Sequence, residues 1–207
     1  MNKINHICEE KQLHLWNEVG TREFEEYEAG SIEREFLSTR SSCRATTGDI
    51  IPEDDILRII ELASRAPSAS NRQPCKVYYS TSIEGNQIIR DLVIDKTIAK
   101  NISNFMAVTV KRSLFTNGEC LQYLINGGIF IESLLLSFHA YNLGAIIFQF
   151  PLKNNYKENV RKLNVPDDEV VIGIVGFGYP DKNYNLLYSK RRSVSEIARC
   201  INKCETK

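Results

Sequence analysis

Strand-like runs separated by helical periods, with helix-rich flanks, predict a layered α+β or α/β domain for this chain of 207 residues. Three observations carry that prediction. Ile56, Ile59, Ile60 and Ala63 recur at helical spacing and make one apolar face. Lys76–Ser80, Phe105–Val110, Ala145–Phe150 and Val170–Phe177 are strand-like runs. Between the second and third of these lies Leu121–Asn142, a helical stretch that is apolar on nearly every side.

Residues 1–37 are the most charged part of the chain, and Arg22–Glu28 reads as a solvated helix face. Ala29-Gly30-Ser31 breaks that pattern, and a short helix over Ile32–Thr39 follows. Residues 1–31 are therefore expected to form a charged arm or appended helices, and residues 32–207 the domain. Pro52 followed by Glu53, Asp54 and Asp55 starts the next helix, with proline fixing the first turn and acids facing its positive end. Pro67 is expected to end it. The Leu121–Asn142 helix contains Leu134-Leu135-Leu136-Ser137-Phe138, so it should be buried, by the sheet on one side and a partner subunit on the other. Gly127-Gly128 costs helix propensity there, which predicts a close packing contact. Asn154–Leu163 reads as a shorter amphipathic helix.

Composition narrows the function classes. With 26 Lys and Arg against 26 Asp and Glu there is no basic excess, and nucleic-acid binding is set aside. No N-terminal signal pattern is present, since His6–Lys11 interrupts any apolar region. The apolar stretch Leu121–Phe150 is broken by Asn126, Glu132, His139, Asn142 and Gln149, too polar for a membrane span. A cytosolic protein without membrane association is expected. Six cysteines without C-x-x-C spacing read as reduced thiols, and Cys200 with Cys204 has no nearby histidine to complete a metal site.

Hydrolytic chemistry needs a base on a nucleophile. His6 and His14 lie in the charged N-terminal part, and His139 reads as a satisfied core histidine. No G-x-S-x-G elbow occurs. Gly176-Phe177-Gly178-Tyr179-Pro180 lacks a third glycine and a following helix, so it is a turn and not a dinucleotide fingerprint. What remains is a spread set of anion and amide groups. Arg40-Ser41-Ser42-Cys43-Arg44 could grip a phosphate by forked hydrogen bonds, and Lys190-Arg191-Arg192 is a second basic group. Taken separately, each is more often solvated surface than a site. Asn71 and Gln73 offer donors and acceptors suited to a heteroaromatic ring or its polyol chain.

In this order the pieces resemble the nitroreductase family of FMN-dependent oxidoreductases. The family's R-R-S-x-R element is matched by Arg40–Arg44, and its A-P-S-x-x-N-x-Q-P-W loop by Ala66–Pro74, with Cys75 at the tryptophan position. Gly127–Phe150 matches its central helix, turn and apolar strand, with Asn142 where glycine is usual. Val171–Pro180 and Lys190–Glu196 match its closing strand, turn and basic element. The resemblance spans roughly residues 32–200.

It implies a three-layer α/β/α fold with a mainly antiparallel sheet, in a homodimer built around the long central helix. It also implies an FMN site at the dimer interface. Arg40, Ser42 and Arg44 would bind the phosphate and ribityl chain, with Ser41 where a second basic residue is usual. Lys190 and Arg191 would approach the phosphate from the C-terminal side. Pro67, Ser68, Ala69 and Asn71, followed by Gln73, would meet the flavin from the other subunit. The backbone of Ile147, Phe148, Gln149 and Phe150 would run along the isoalloxazine and donate to its N5. The implied reaction takes hydride from NADH or NADPH and reduces a nitroaromatic, quinone or other small organic acceptor in a ping-pong cycle. A flavin supplies that chemistry, so no acid–base dyad and no metal is required of the protein. The alternatives are a flavin-binding protein without turnover and a flavin-free structural dimer.

Overall fold

The computed structural model describes residues 30–119, 121–150, 156–187 and 189–201. The expected charged arm, apart from its last two residues, lies outside the described residues, as do His6, His14, Cys8, Cys120 and Cys204.

Helix α1 is Ser31–Thr39 and α2 is Glu53–Ala63. Three acids occupy the first turn of α2, and Ile56, Ile59 and Ala63 are buried as the spacing requires. The regular helix stops at Ala63 with Ser64 at its cap, and single turns carry the backbone bonding to Ala66, directly before Pro67. Ser64 Oγ donates to the Glu61 carbonyl at 2.7 Å.

Strands β1 (Cys75–Tyr79), β2 (Asn104–Lys111), β3 (Gly144–Phe148) and β4 (Glu169–Gly178) form one sheet in the order β1–β2–β4–β3. Every pair is antiparallel. Helices α3 (Ile83–Arg90) and α4 (Lys96–Ala99) connect β1 to β2, a region to which the sequence reading assigns no element. Helix α5 (Gln122–Ala140) connects β2 to β3, and α6 (Tyr156–Lys162) connects β3 to β4. A short helix, α7 (Val194–Ile197), lies near the C-terminus.

The alternation along β2 builds the layers. Met106 and Val108 join α2 and α5 in one apolar cluster, with Val175 and Phe177 of β4. Phe105 and Ala107 point the other way, into a second cluster with Ile89 of α3, Ala99 of α4 and Val160 of α6. Both faces of the central strands are covered, which is why Phe105–Val110 reads as an almost unbroken apolar run. The result is the three-layer α/β/α architecture with an antiparallel sheet.

Helix α5 crosses the sheet where Gly127 meets β4. A Cβ at Gly127 would lie 2.7 Å from Ile172 Cγ1 and 3.1 Å from Val110 Cγ2, so the expected close contact is real at this glycine. Around Gly128 nothing lies within 4 Å. The helix ends on Asn142 with φ 57°, and Leu143 N–H donates to the Phe138 carbonyl at 2.9 Å. That left-handed position suits glycine, and asparagine tolerates it next best. His139 is a satisfied histidine: its Nε2 is 3.1 Å from Thr39 Oγ1, and its ring lies 4.9 Å from that of Phe36. By length and composition α5 is apolar enough to cross a bilayer. Here Phe130, Ile131, Leu134 and Phe138 pack it onto the sheet instead.

Glu169 opens β4 as a buried carboxylate. It accepts from Lys76 Nζ at 2.6 Å, Tyr78 OH at 2.9 Å and Thr109 Oγ1 at 2.7 Å, joining three strands. Burial pushes its pKa up, but those three donors and the Lys76 charge outweigh burial and hold it below the usual carboxylate value. Tyr78 is pushed up to about 12, by burial first and then by its bond to Glu169.

Two outcomes follow from this packing. Gly127→Ala should destabilise the protein by about 1–3 kcal/mol in urea denaturation, because the added methyl overpacks Ile172. Glu169→Gln should cost about 2 kcal/mol at neutral pH. Since the folded-state pKa of Glu169 is depressed, its contribution is present above an unfolded value of about 4.3 and is lost as pH falls through the folded value. Acid-denaturation profiles of the two proteins should therefore converge at low pH, and a constant difference between them would contradict this role.

Candidate functional site

The loop after α2 has an unusual backbone. Ser68 is extended, and then Ser70, Asn71 and Gln73 take positive φ angles of 52°, 51° and 46°. Residues with a Cβ avoid that region, so the loop needs outside partners to hold it. Asn126 of α5 provides one. Its buried Oδ1 accepts from Ala69 N–H at 2.8 Å, while its Nδ2 donates to the Gln122 carbonyl at 2.7 Å. Ser68 provides a second, accepting from Gln73 N–H at 2.9 Å through Oγ. Gln73 Nε2 donates to Asn71 Oδ1 at 3.2 Å, so these two amides are tied to each other.

Beneath this loop is a small cavity of about 130 Å3, lined by Pro67, Ser68, Gln73, Cys75, Asn126 and Phe130 among others. Cys75 is half-buried there, and burial pushes its thiol up to about 12. It is a neutral, unreactive group at neutral pH.

The Arg40–Arg44 segment docks on the outer edge of the sheet. Ser42 forms a parallel bridge with Ala145 of β3, and Cys43 N–H donates to the Ala145 carbonyl at 3.1 Å. Because the two segments run the same way, Arg44 and Ile147 each follow the bridge by two residues. Arg40 and Arg44 are only weakly committed within the chain. Arg40 Nε lies 3.9 Å from Glu132, and Arg44 Nη1 donates to the Ser42 carbonyl at 3.3 Å. Ser41 is placed apart from them. With buried Cys43 it lines a cavity of about 360 Å3 that also contains His139, Asn142 and Asp181.

Beyond the Ser42 bridge, the outer edge of β3 has no further strand partner among the described residues. Ile147 is exposed there, over Gly173, whose Cβ would come within 3.2 Å of it. Gln149 is exposed, whereas Phe148 and Phe150 are buried in the second cluster. The structure therefore brings the Arg40–Arg44 segment and the Ile147–Phe150 segment to one sheet edge. It does not bring Lys190 and Arg191 to them. These lie in a stretch, 189–201, in which every residue is exposed, and Arg191 Nη1 donates to Ser189 of the same stretch at 2.8 Å.

Three residues at the loop escaped the sequence reading. Asn126 was visible only as a polar break in an apolar helix. Arg72 and Glu119 gave no signal at all, because their pairing spans 47 positions. The Arg72 side chain is buried, and its Nη1 meets Glu119 Oε1 at 2.6 Å. The Thr116 backbone N–H chiefly, against some burial and with further help from Arg72 and the Thr116 hydroxyl, holds Glu119 down to about 2. Two further clefts carry none of the expected site residues. One, of about 280 Å3, holds Arg90 and Lys100; the other, of about 440 Å3, is lined by Arg112, Phe115, Glu119 and Tyr123. Among the described residues no cluster of three or more His, Cys, Asp or Glu could hold a metal.

The model of the Nitroreductase family matches residues 37–122, which include both the Arg40–Arg44 element and the loop. A curated relative from Archaeoglobus fulgidus, named as an NADH dehydrogenase/NAD(P)H nitroreductase, is 25% identical over 150 residues, 70% of this chain and 83% of that protein. Among solved structures, a nitroreductase family protein from Clostridium novyi is 25% identical with a TM-score of 0.61, covering 72% of this chain and 86% of that one. A Desulfovibrio desulfuricans structure described as a nitroreductase in complex with FMN is 21% identical, with a TM-score of 0.69 over 83% of this chain and 96% of the other. The matched loop and arginine element, the curated relative and the shared three-layer architecture support the nitroreductase family for this chain.

Proposed function

We propose that the protein is an FMN-dependent oxidoreductase of the cytosol that works as a homodimer. The observation that carries this reading is the shared sheet edge. Two arginines without a strong internal partner stand beside an unpaired strand edge at Ile147–Phe148. Cations suit a phosphate, and an open strand edge offers backbone groups to a flat polar ring, so the residues present fit FMN. The FMN complex of the Desulfovibrio relative supports the choice of cofactor. When bound, FMN supplies the redox chemistry, taking hydride from NADH or NADPH and reducing a nitroaromatic, quinone or other small organic acceptor in a ping-pong cycle.

The chain's own residues bind and orient. Arg40, Ser42 and Arg44 would hold the phosphate and ribityl chain, and backbone from Ile147 to Phe150 would run beside the ring. The small residues Ser68 and Ala69 let a planar group approach the loop closely, with Asn71 and Gln73 at its polar rim. Lys190 and Arg191 would complete the phosphate site once the exposed C-terminal stretch is docked.

Two surfaces support the dimer. Helix α5 buries one face in its own subunit and exposes Leu121, Leu124, Ile125 and Ile129 on the other, beside the open Gly128. Residues 189–201 are all exposed, Val194, Ile197 and Ile201 among them. A patch of this kind marks an association surface.

Purified protein should be yellow, or should retain added FMN through gel filtration, and anaerobic NAD(P)H should bleach it. Colourless protein that neither retains FMN nor alters its fluorescence refutes the reading. A flavin that stays oxidised identifies a binder without turnover. Arg40→Ala and Arg44→Ala should each weaken FMN binding by about 1–3 kcal/mol, measured by fluorescence titration. Ile125→Asp should shift the protein to monomer in sedimentation and release the flavin, because a charge cannot be buried unpaired at that face.

A further inference from the structure

The loop expected to wall the flavin is strained, and something must hold it. Three of its residues, Ser70, Asn71 and Gln73, have a Cβ and a left-handed backbone. Hydrogen bonds to Asn126 and Ser68 fix its two ends, at Ala69 and Gln73. Its middle is fixed by Arg72. That side chain is 7% exposed, its Nη1 meets Glu119 at 2.6 Å, and its guanidinium stands 5.3 Å from the centre of the Phe115 ring. Its Nε is buried without an acceptor, so Glu119 is the carboxylate that compensates this cation. The anchor is set in advance, because Glu119 Oε2 already accepts from Thr116 N–H at 2.8 Å and Thr116 Oγ1 at 3.0 Å.

We propose that Arg72 and Glu119 are positioning residues whose part-buried ion pair locks the Ser68–Gln73 loop in the shape that faces the flavin. The inference rests on the proposed function. Arg72 lies within the loop, and its contacts run to Glu119 and Phe115, so the pair acts on the loop directly. A buried cation with one partner holds only while the partner stays, which makes the pair a latch and not a uniform brace. Phe115, Thr116 and Glu119 also line the cleft of about 440 Å3, so the latch links that cleft mechanically to the flavin wall.

The test compares wild type with Arg72→Met and Glu119→Gln by amide hydrogen exchange, FMN titration and visible circular dichroism of bound flavin. Exchange at the Ala69 and Gln73 amides should rise roughly ten- to a hundredfold in both variants, with the amides of β2 unchanged. FMN affinity should fall by a similar factor, the flavin dichroism should change, and Arg72→Lys should recover part of each. Unchanged loop exchange overturns the inference, whether or not the protein binds FMN. Faster exchange with unaltered FMN affinity and dichroism overturns the positioning role and leaves the flavin reading standing. A wild type that never retains FMN overturns the flavin reading and the positioning role together, while the exchange rates still decide whether the pair sets the loop.

Discussion

The missing side chain at Gly127 is the constraint on which the rest of the structure depends. With no Cβ there, α5 can sit directly on Ile172 and Val110. That depth places the preceding residue, Asn126, where its carboxamide reaches the Ala69 amide of the loop after α2. It also stacks Phe138 on Phe177 at the far end of the helix, 4.6 Å between ring centres. One helix-to-sheet spacing thus fixes both the core and the loop. A bulkier residue at 127 would lift the helix, and the loop amide would lose its acceptor although no loop residue had changed.

The arginines show how burial and pairing assign roles to one residue type. Arg72 is buried, stacked and paired with a carboxylate that Thr116 holds in place. It is committed to the fold. Arg40 and Arg44 sit at a sheet edge with weak internal partners and keep their charge available. Glu169 makes the same point among carboxylates. Three donors on two other strands bind it, and its pKa stays low despite burial. Ion pairs of this buried kind fix geometry more than they add stability, because desolvation offsets most of the attraction.

Much of the fold was legible in the sequence because it is written in local periods. The α2 face at Ile56, Ile59 and Ala63, the run through β2 and Gly127 of α5 all report the environment of residues near in sequence. The loop of the candidate site was legible as a string of small and amide residues after a helix. Its partners were not. Arg72 meets Glu119 and Lys76 meets Glu169 across many intervening residues, and no spacing rule connects them. The antiparallel order, with β2 and β4 central, was likewise set by long-range pairing and not by any local pattern.

Cys75 turns the loop into its own chemical clock. Its thiol lines the cavity beneath the loop, lies 3.7 Å from the Asn126 carbonyl, and is held as a neutral thiol by burial. Half-buried and almost never a thiolate, it reacts slowly with an alkylating reagent, and openings of the loop speed that reaction. Cys200 is exposed and lies outside this loop. The slow labelling rate at Cys75 therefore counts how often Ala69 lets go of Asn126, and a residue that does no chemistry records the breathing of the wall beside it.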